Sequence, residues 1–218
     1  MKKIALLILF LLSSLLNATN LSDYINKENC SKIIDKKVFI ICYDYEMKGA
    51  KYVAYTLDGA KVNTVNIKKR NSFYTEKNLV KKYRSNTNDY KHSGYDRGHL
   101  ANDASFDYSK KVVRKTYTMA NIIPQAPKVN RKTWIKAEKL ERKVAVSLGM
   151  VKVLNGVVYA SKPLRIGRNK VAVPDGFWKM IYNDKENYQK CFYYKNDLNT
   201  ITKGDKIKSH LVDCRTLR

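Results

Sequence analysis

Carboxylates are scarce in this chain of 218 residues: 19 Asp and Glu stand against 43 Lys and Arg, leaving a formal charge of +24. The excess is spread along the chain and not gathered in one tail, so it belongs to a folded surface. A field of that sign attracts polyanions and speeds their encounter, and nucleic acid is the foremost polyanion. Glycine (9) and proline (4) are few, and no repeat or low-complexity linker divides the sequence. Hydrophobic residues reach 44 %, enough for a core, which excludes global disorder. Histidine occurs three times, at His92, His99 and His210. Cysteine occurs four times, at Cys30, Cys42, Cys191 and Cys214, with no C-x2-C spacing to suggest a thiolate metal site.

No long apolar run is present either. Ile4 to Leu16 spans 13 residues, short of the roughly 20 that cross a bilayer. Preceded by Met1-Lys2-Lys3 and followed by Asn17-Ala18-Thr19, it has the form of a secretory signal. Residues 1–18 are therefore expected to be a signal peptide, and 19–218 a single domain without stable membrane insertion, exported to the periplasm or the medium. No cysteine closely follows the apolar run, which speaks against a lipid anchor. An even cysteine count in an exported chain favours two disulfides. Of the three pairings, Cys30–Cys42 and Cys191–Cys214 are favoured because both close short loops.

The patterning predicts an α+β fold: a mixed, mostly antiparallel sheet with helices. Thr19 to Lys37 is polar and reads as a short helix or loose arm. Val38 to Tyr43 and Tyr52 to Leu57 are β-branched and aromatic and read as strands, the second closed by Asp58-Gly59. Lys68 to Asn88 reads as a long loop, and Lys115 to Ile123 as a strand or extended segment. Trp134, Ala137, Leu140, Val144 and Leu148 recur at spacings of three and four, which predicts an amphipathic helix over 130–148. Val151 to Leu154 and Val157 to Ala160 flank Asn155-Gly156 and read as a hairpin. Val171 to Pro174, Phe177 to Tyr182 and Phe192 to Tyr194 supply further strand material.

Hydrolysis of a phosphodiester needs a group to take a proton from water, and neutral imidazole does so near pH 7. On a strand, Arg97 and His99 would share a face, Gly98 would permit close approach, and Asp96 would point the other way to orient the segment or close a structural salt bridge. A guanidinium fork suits the charge that builds on a transferring phosphoryl group, and Arg97 and Arg70 are the candidates. Arg70 taken alone is equally a solvated surface residue. A hard dication such as Mg²⁺ takes oxygen ligands and keeps several waters, so the amide oxygen of Asn130 would suffice as a direct ligand. Asn130 could also cap the following helix. Glu138, eight residues on, could hold metal-bound water or pair with Arg142; Glu141 is the less favoured carboxylate.

Tyr95-Asp96-Arg97-Gly98-His99-Leu100 resembles a signature of the DNA/RNA non-specific endonuclease family, the Serratia-type and endonuclease-G-like nucleases. Arg70-x-x-Phe73-Tyr74, Asn121-Ile122-Ile123-Pro124-Gln125, Asn130-x-x-x-Trp134-x-x-x-Glu138 and Val171-Ala172-Val173-Pro174 before Phe177-Trp178-Lys179 follow in the same order. The resemblance runs from about Tyr52 to Tyr182. It implies a ββα-metal core, His99 as general base, Asn130 as metal ligand, Glu138 holding metal-bound water, Arg97 and Arg70 on phosphate, and Asn121 bracing the site. It also implies Mg²⁺, with Mn²⁺ as a substitute, DNA and RNA as substrates, 5′-phosphate products, and a homodimer as found in many members. Two departures stand out: Asn102-Asp103 where many members have Pro-Ala, and Arg131 where Gln is frequent.

Lys128, Arg131, Lys132, Lys136, Arg165 and Arg168 are candidate phosphate contacts, and a solvated basic face accounts equally for at least half of them. Contacts of this kind carry no base information, so little sequence preference is expected. The rival is a non-catalytic exported DNA-binding protein, which the charge fits equally but which needs no general base. A toxin payload would call for a delivery domain, which the sequence does not display.

Overall fold

The computed structural model describes residues 20–217. The segment read as a signal peptide lies outside the described residues. Eleven strands are present among them: β1 (Lys32–Asp35), β2 (Ile40–Asp44), β3 (Gly49–Asp58), β4 (Asp96–His99), β5 (Ile122–Gln125), β6 (Met150–Val158), β7 (Arg165–Ile166), β8 (Val171–Ala172), β9 (Gly176–Asn183), β10 (Tyr188–Lys195) and β11 (Leu211–Val212). Seven form one sheet in the order β1-β2-β3-β6-β9-β10-β11, and every pairing in it is antiparallel. Two small antiparallel pairs, β4–β5 and β7–β8, stand apart from it. Helix α1 covers Lys110–Thr116, and α2 covers Ile135–Leu148 directly after a π-turn at Val129–Trp134. This is the expected α+β architecture.

The sheet buries both faces, as its near-continuous apolar strands require. On one face Ile41, Val53, Tyr55, Val153, Phe177 and Ile181 pack against Trp134, Ala137, Val144 and Ala145 of the helical segment. Trp134 is fully buried and meets Phe177 and Tyr194 edge-on at 4.8 and 5.3 Å. The apolar spacing of three and four thus does what an amphipathic helix should, seating one stripe on the sheet. The opposite face, with Tyr52, Ala54, Leu154, Trp178 and Met180, is covered by the two ends of the described chain: Leu21, Tyr24 and Ile25 from one, Leu217 from the other. The Tyr24 hydroxyl donates to the Leu217 carbonyl at 3.1 Å. Both disulfides, Cys30–Cys42 and Cys191–Cys214, pin these ends to the sheet as expected.

Three local expectations are corrected. Asn155-Gly156 is not a turn: β6 runs unbroken through it, paired with β3 on one side and β9 on the other. A Cβ at Gly156 would lie 2.1 Å from the Trp178 indole, so glycine is there to let that ring cross the strand. Lys110–Thr116 is a helix that buries Val113 and Thr116; of the segment read as extended, Thr118 bridges Tyr74 and Ile122–Gln125 forms β5, with a 3-10 turn between them. The supposed arm ends in β1, an edge strand whose only buried residue is Ile34. A lone apolar contact in a charged edge strand leaves almost no periodic signal.

Candidate active site

Strand β4 organises the site. Its pairing with β5 places His99 opposite Ile122 and Asp96 opposite Gln125. Arg97 and His99 share a face, as the two-residue period requires. Both meet the ring of Phe73: the Arg97 guanidinium lies 5.0 Å from it and the His99 ring 5.4 Å. Tyr117 completes the cage, 5.0 Å from both the His99 and Phe73 rings. Gly98 permits a close approach, but of the buried Gln125 side chain, which a Cβ would meet at 2.1 Å.

Two aromatic rings partly enclose the imidazole, leaving His99 half-buried. Burial draws the pKa of His99 from its usual 6.5 down to about 4; the Asp103 carboxylate opposes the shift and the Arg70 guanidinium adds to it. His99 is therefore neutral at physiological pH, the form that accepts a proton. Its Nε2 is buried without a hydrogen-bond partner. The segment after it is held by Asn121, whose side chain bonds both the amide and the carbonyl of Ala101 at 2.9 Å and the Thr116 carbonyl at 2.8 Å. Asn121 thus braces the site, as expected.

The other side of β4 reaches Asn130. Asp96 Oδ2 accepts from Asn130 Nδ2 at 2.9 Å and from Arg131 Nε at 2.7 Å, while Oδ1 takes Arg131 Nη2 at 2.6 Å. Burial raises the Asp96 pKa, but these donors outweigh it and hold the carboxyl below the usual range. Asn130 is not a helix cap. It sits second in the π-turn, with its own backbone amide already bonded to Ala126 at 2.9 Å. With its NH₂ group tied to Asp96, its Oδ1 is left free of described donors. That is the donor a hard cation needs, so the residues present fit a metal held by one amide oxygen. Among the described residues no group of three His, Cys, Asp or Glu side chains forms a self-sufficient cage.

Glu138 lies on α2, half-buried. Eight α-helical residues would leave it about 80° around the helix from Asn130; the wider i→i+5 turn lowers the rotation per residue and brings both towards one face. Its carboxyl pKa is raised to about 7, chiefly by burial; Lys179 opposes the rise, and Glu141 and Asp103 add to it. The pairing with Arg142 is not formed; Arg142 donates instead to Asn102 Oδ1 at 2.9 Å. Glu141 is structural. It is fully buried, pairs with the equally buried Lys179, and accepts from Tyr55, Asn102 and Ser105 at 2.9, 2.5 and 2.7 Å.

Arg70 comes from the long loop and forms an ion pair with Asp103, its Nη1 3.0 Å from Oδ2. It borders a basic recess of about 440 Å³, shared with Lys69, Lys110 and Arg114. Of the six candidate phosphate contacts, three are committed elsewhere: Arg131 to Asp96, Lys136 to Asp205 at 2.5 Å, and Arg165 to the carbonyls of Glu46 and Lys170. Lys128, Lys132 and Arg168 remain exposed and without a described ion-pair partner. Phe73 had a place in a quoted motif but no assigned role. Asp103 stood out only as a departure from the family pattern, and Tyr117 carried no signal, because their partners lie in other segments.

The fold is shared with a solved chain, reported in a complex of EndoG with EndoGI: TM-score 0.78 and 24 % identity, over 85 % of this chain and 81 % of that one. The family model for DNA/RNA non-specific endonuclease matches residues 17–217, and the chain belongs to that family. Among its relatives, human mitochondrial endonuclease G is 28 % identical over 161 residues, covering 69 % of this chain and 54 % of the relative. A nuclease of Nostoc sp. is 32 % identical over 151 residues, covering 67 % and 52 %. The mitochondrial nuclease of Saccharomyces cerevisiae is 27 % identical over 161 residues, covering 67 % and 49 %. The chain thus spans about half the length of the relatives it matches.

Proposed function

We propose that this protein is a metal-dependent, sugar-non-specific endonuclease that hydrolyses DNA and RNA to 5′-phosphate products. One observation carries the reading. Strand β4 holds a neutral, half-buried His99 beside Arg97 on one face, and from the other its Asp96 turns Asn130 so that Oδ1 stays open. A binding protein has no use for a base so prepared. His99 accepts the proton of the attacking water, and its low pKa keeps it competent across the neutral range. Arg97 and Arg70 present guanidinium donors to the phosphate oxygens, where charge grows in the transition state. Asn130 would hold a divalent cation through Oδ1, Mg²⁺ with Mn²⁺ as substitute, which would supply Lewis-acid stabilisation of the developing charge. Glu138 offers a second oxygen donor from the same helical segment. No group in this set addresses a ribose 2′-hydroxyl, so DNA and RNA serve alike. Lys128, Lys132 and Arg168 attract the backbone without reading bases.

The two disulfides favour work in an oxidising compartment, reached by export on residues 1–18 with residues 19–218 as the mature unit. Among the described residues no helix is long and apolar enough to cross a membrane. The test is agarose-gel cutting of supercoiled plasmid and total RNA with Mg²⁺, with EDTA, and with His99→Ala beside wild type. Loss of both substrates is expected only with the metal, with a drop of roughly 100-fold or more in the variant. A plasmid shifted but uncut under Mg²⁺ and Mn²⁺ would refute the reading in favour of a binding protein.

A further inference from the structure

We propose that Asp103 is a positioning residue for this reaction, holding Arg70 and, through Tyr117, the ring of His99 in one assembly; this rests on the nuclease reading above. Arg70 lies in a loop with little regular structure, and its side chain is 48 % exposed. A long, half-solvated side chain loses rotamer freedom only when something holds it. The holder is Asp103 Oδ2, 3.0 Å from Arg70 Nη1. The same oxygen accepts the buried Tyr117 hydroxyl at 2.6 Å. The Tyr117 ring stands edge-on to His99, with 5.0 Å between centroids and 78° between planes. Phe73, three residues after Arg70, touches His99 and Tyr117 and lies under Arg97. One carboxylate oxygen therefore joins the loop arginine to the aromatic cage of the base.

The geometry suits positioning better than quenching. Arg70 meets Asp103 as an ion pair through Nη1, which leaves guanidinium donors for phosphate. Asp103 is itself anchored: it opens a short 3-10 turn, Asp103–Ser105, capped where Asn102 Oδ1 accepts the Ser105 amide at 3.0 Å. Asn102 in turn belongs to the buried Glu141 and Arg142 network. The carboxylate also favours the protonated imidazole of His99, against the neighbouring guanidinium.

The test is steady-state plasmid cleavage with Mg²⁺ between pH 3 and 9, a range that spans the acid limb set by His99, for wild type, Asp103→Asn, Asp103→Ala, Arg70→Ala and the Asp103→Ala/Arg70→Ala pair, with thermal melts alongside. Loss of Asp103 is expected to lower kcat/KM by roughly 10- to 100-fold, the range of a charge-assisted hydrogen bond. The double variant should fall little below Arg70→Ala, because the two act as one unit. In Asp103→Asn the acid limb of the profile should move to lower pH, since the charge that favours imidazolium is gone. A purely structural role would leave that limb in place. If Asp103→Ala melts early, the isosteric Asp103→Asn decides. Wild-type kcat/KM with an unmoved acid limb in Asp103→Asn, or full additivity with Arg70→Ala, overturns the proposal alone. A wild type that cuts nothing overturns the nuclease reading and this proposal together.

Discussion

Glu138→Gln should make the protein more stable at pH 8 and no more stable at pH 4.5. The Glu138 carboxyl titrates at about 7 in the folded chain against an ordinary 4.5; burial is the main cause, with Lys179 pulling the other way and Glu141 adding to the rise. Between those values the folded state holds more protons than the unfolded one. Stability therefore falls as pH climbs from 4.5 to 7 and stays reduced above. The gap between 4.5 and about 7 corresponds to at most about 3 kcal/mol. Glu138 keeps some solvent contact, so a gain of about 1–3 kcal/mol is the working range. For a chain of this size that is roughly 3–10 °C in Tm. The assay is a pair of thermal melts, wild type and variant, in EDTA from pH 4.5 to 8. The two Tm curves should diverge as pH rises through 5–7, while cleavage with Mg²⁺ falls in the variant. A Tm difference independent of pH, or a variant less stable at pH 8, would refute the assignment of a costly buried charge to this position. Such a cost is the ordinary signature of a functional carboxyl kept where packing alone would not place one.

Three further outcomes concern the basic residues. Arg131→Ala should lower kcat roughly tenfold or more by freeing Asp96, the partner that orients Asn130, while changing the salt dependence of DNA binding little. Lys132→Ala should do the reverse, reducing the slope of log K against log salt by up to about 1 at nearly unchanged kcat. Binding is read on uncut DNA in EDTA by fluorescence anisotropy, and equal slopes for both variants would show that the Asp96 pair does not withdraw Arg131 from phosphate. Lys179→Met leaves the fully buried Glu141 without its cation. It should cost about 3–5 kcal/mol in urea unfolding, and a loss under about 1 kcal/mol would mean that Tyr55, Asn102 and Ser105 suffice to hold that carboxylate.

Some of this molecule is legible residue by residue. The two-residue period places Arg97 and His99 on one side of a strand whatever surrounds it. The spacing of Trp134, Ala137, Val144 and Leu148 makes a helix stripe. The short loops of the two cysteine pairs favour the bridges that form. Where reading failed, a neighbour distant in sequence decided the outcome. Asn155-Gly156 has the chemistry of a turn, yet β3 and β9 pair with it from both sides and Trp178 fills the space above the glycine. Lys115 and Thr116 read as extended chain, but they close a helix in which Val113 and Thr116 are buried one turn apart.

The site divides in the same way. The sequence alone determined the chemical types available: an imidazole, guanidinium groups, an amide oxygen and a carboxylate, in a chain charged to meet polyanions. Tertiary structure decided what each does. Asp96 rather than solvent takes the Asn130 amide and Arg131; Phe73 and Tyr117 pack on the imidazole; Asp103 gathers Arg70 and Tyr117; Glu138 is half-buried and costly while Glu141 is satisfied and inert. The physical reason is range. Strand and helix periods act over a few residues and leave a mark in local order. Desolvation and hydrogen-bond partnership depend on whichever groups the fold brings within a few ångströms, and here they arrive from segments 14 to 86 residues apart.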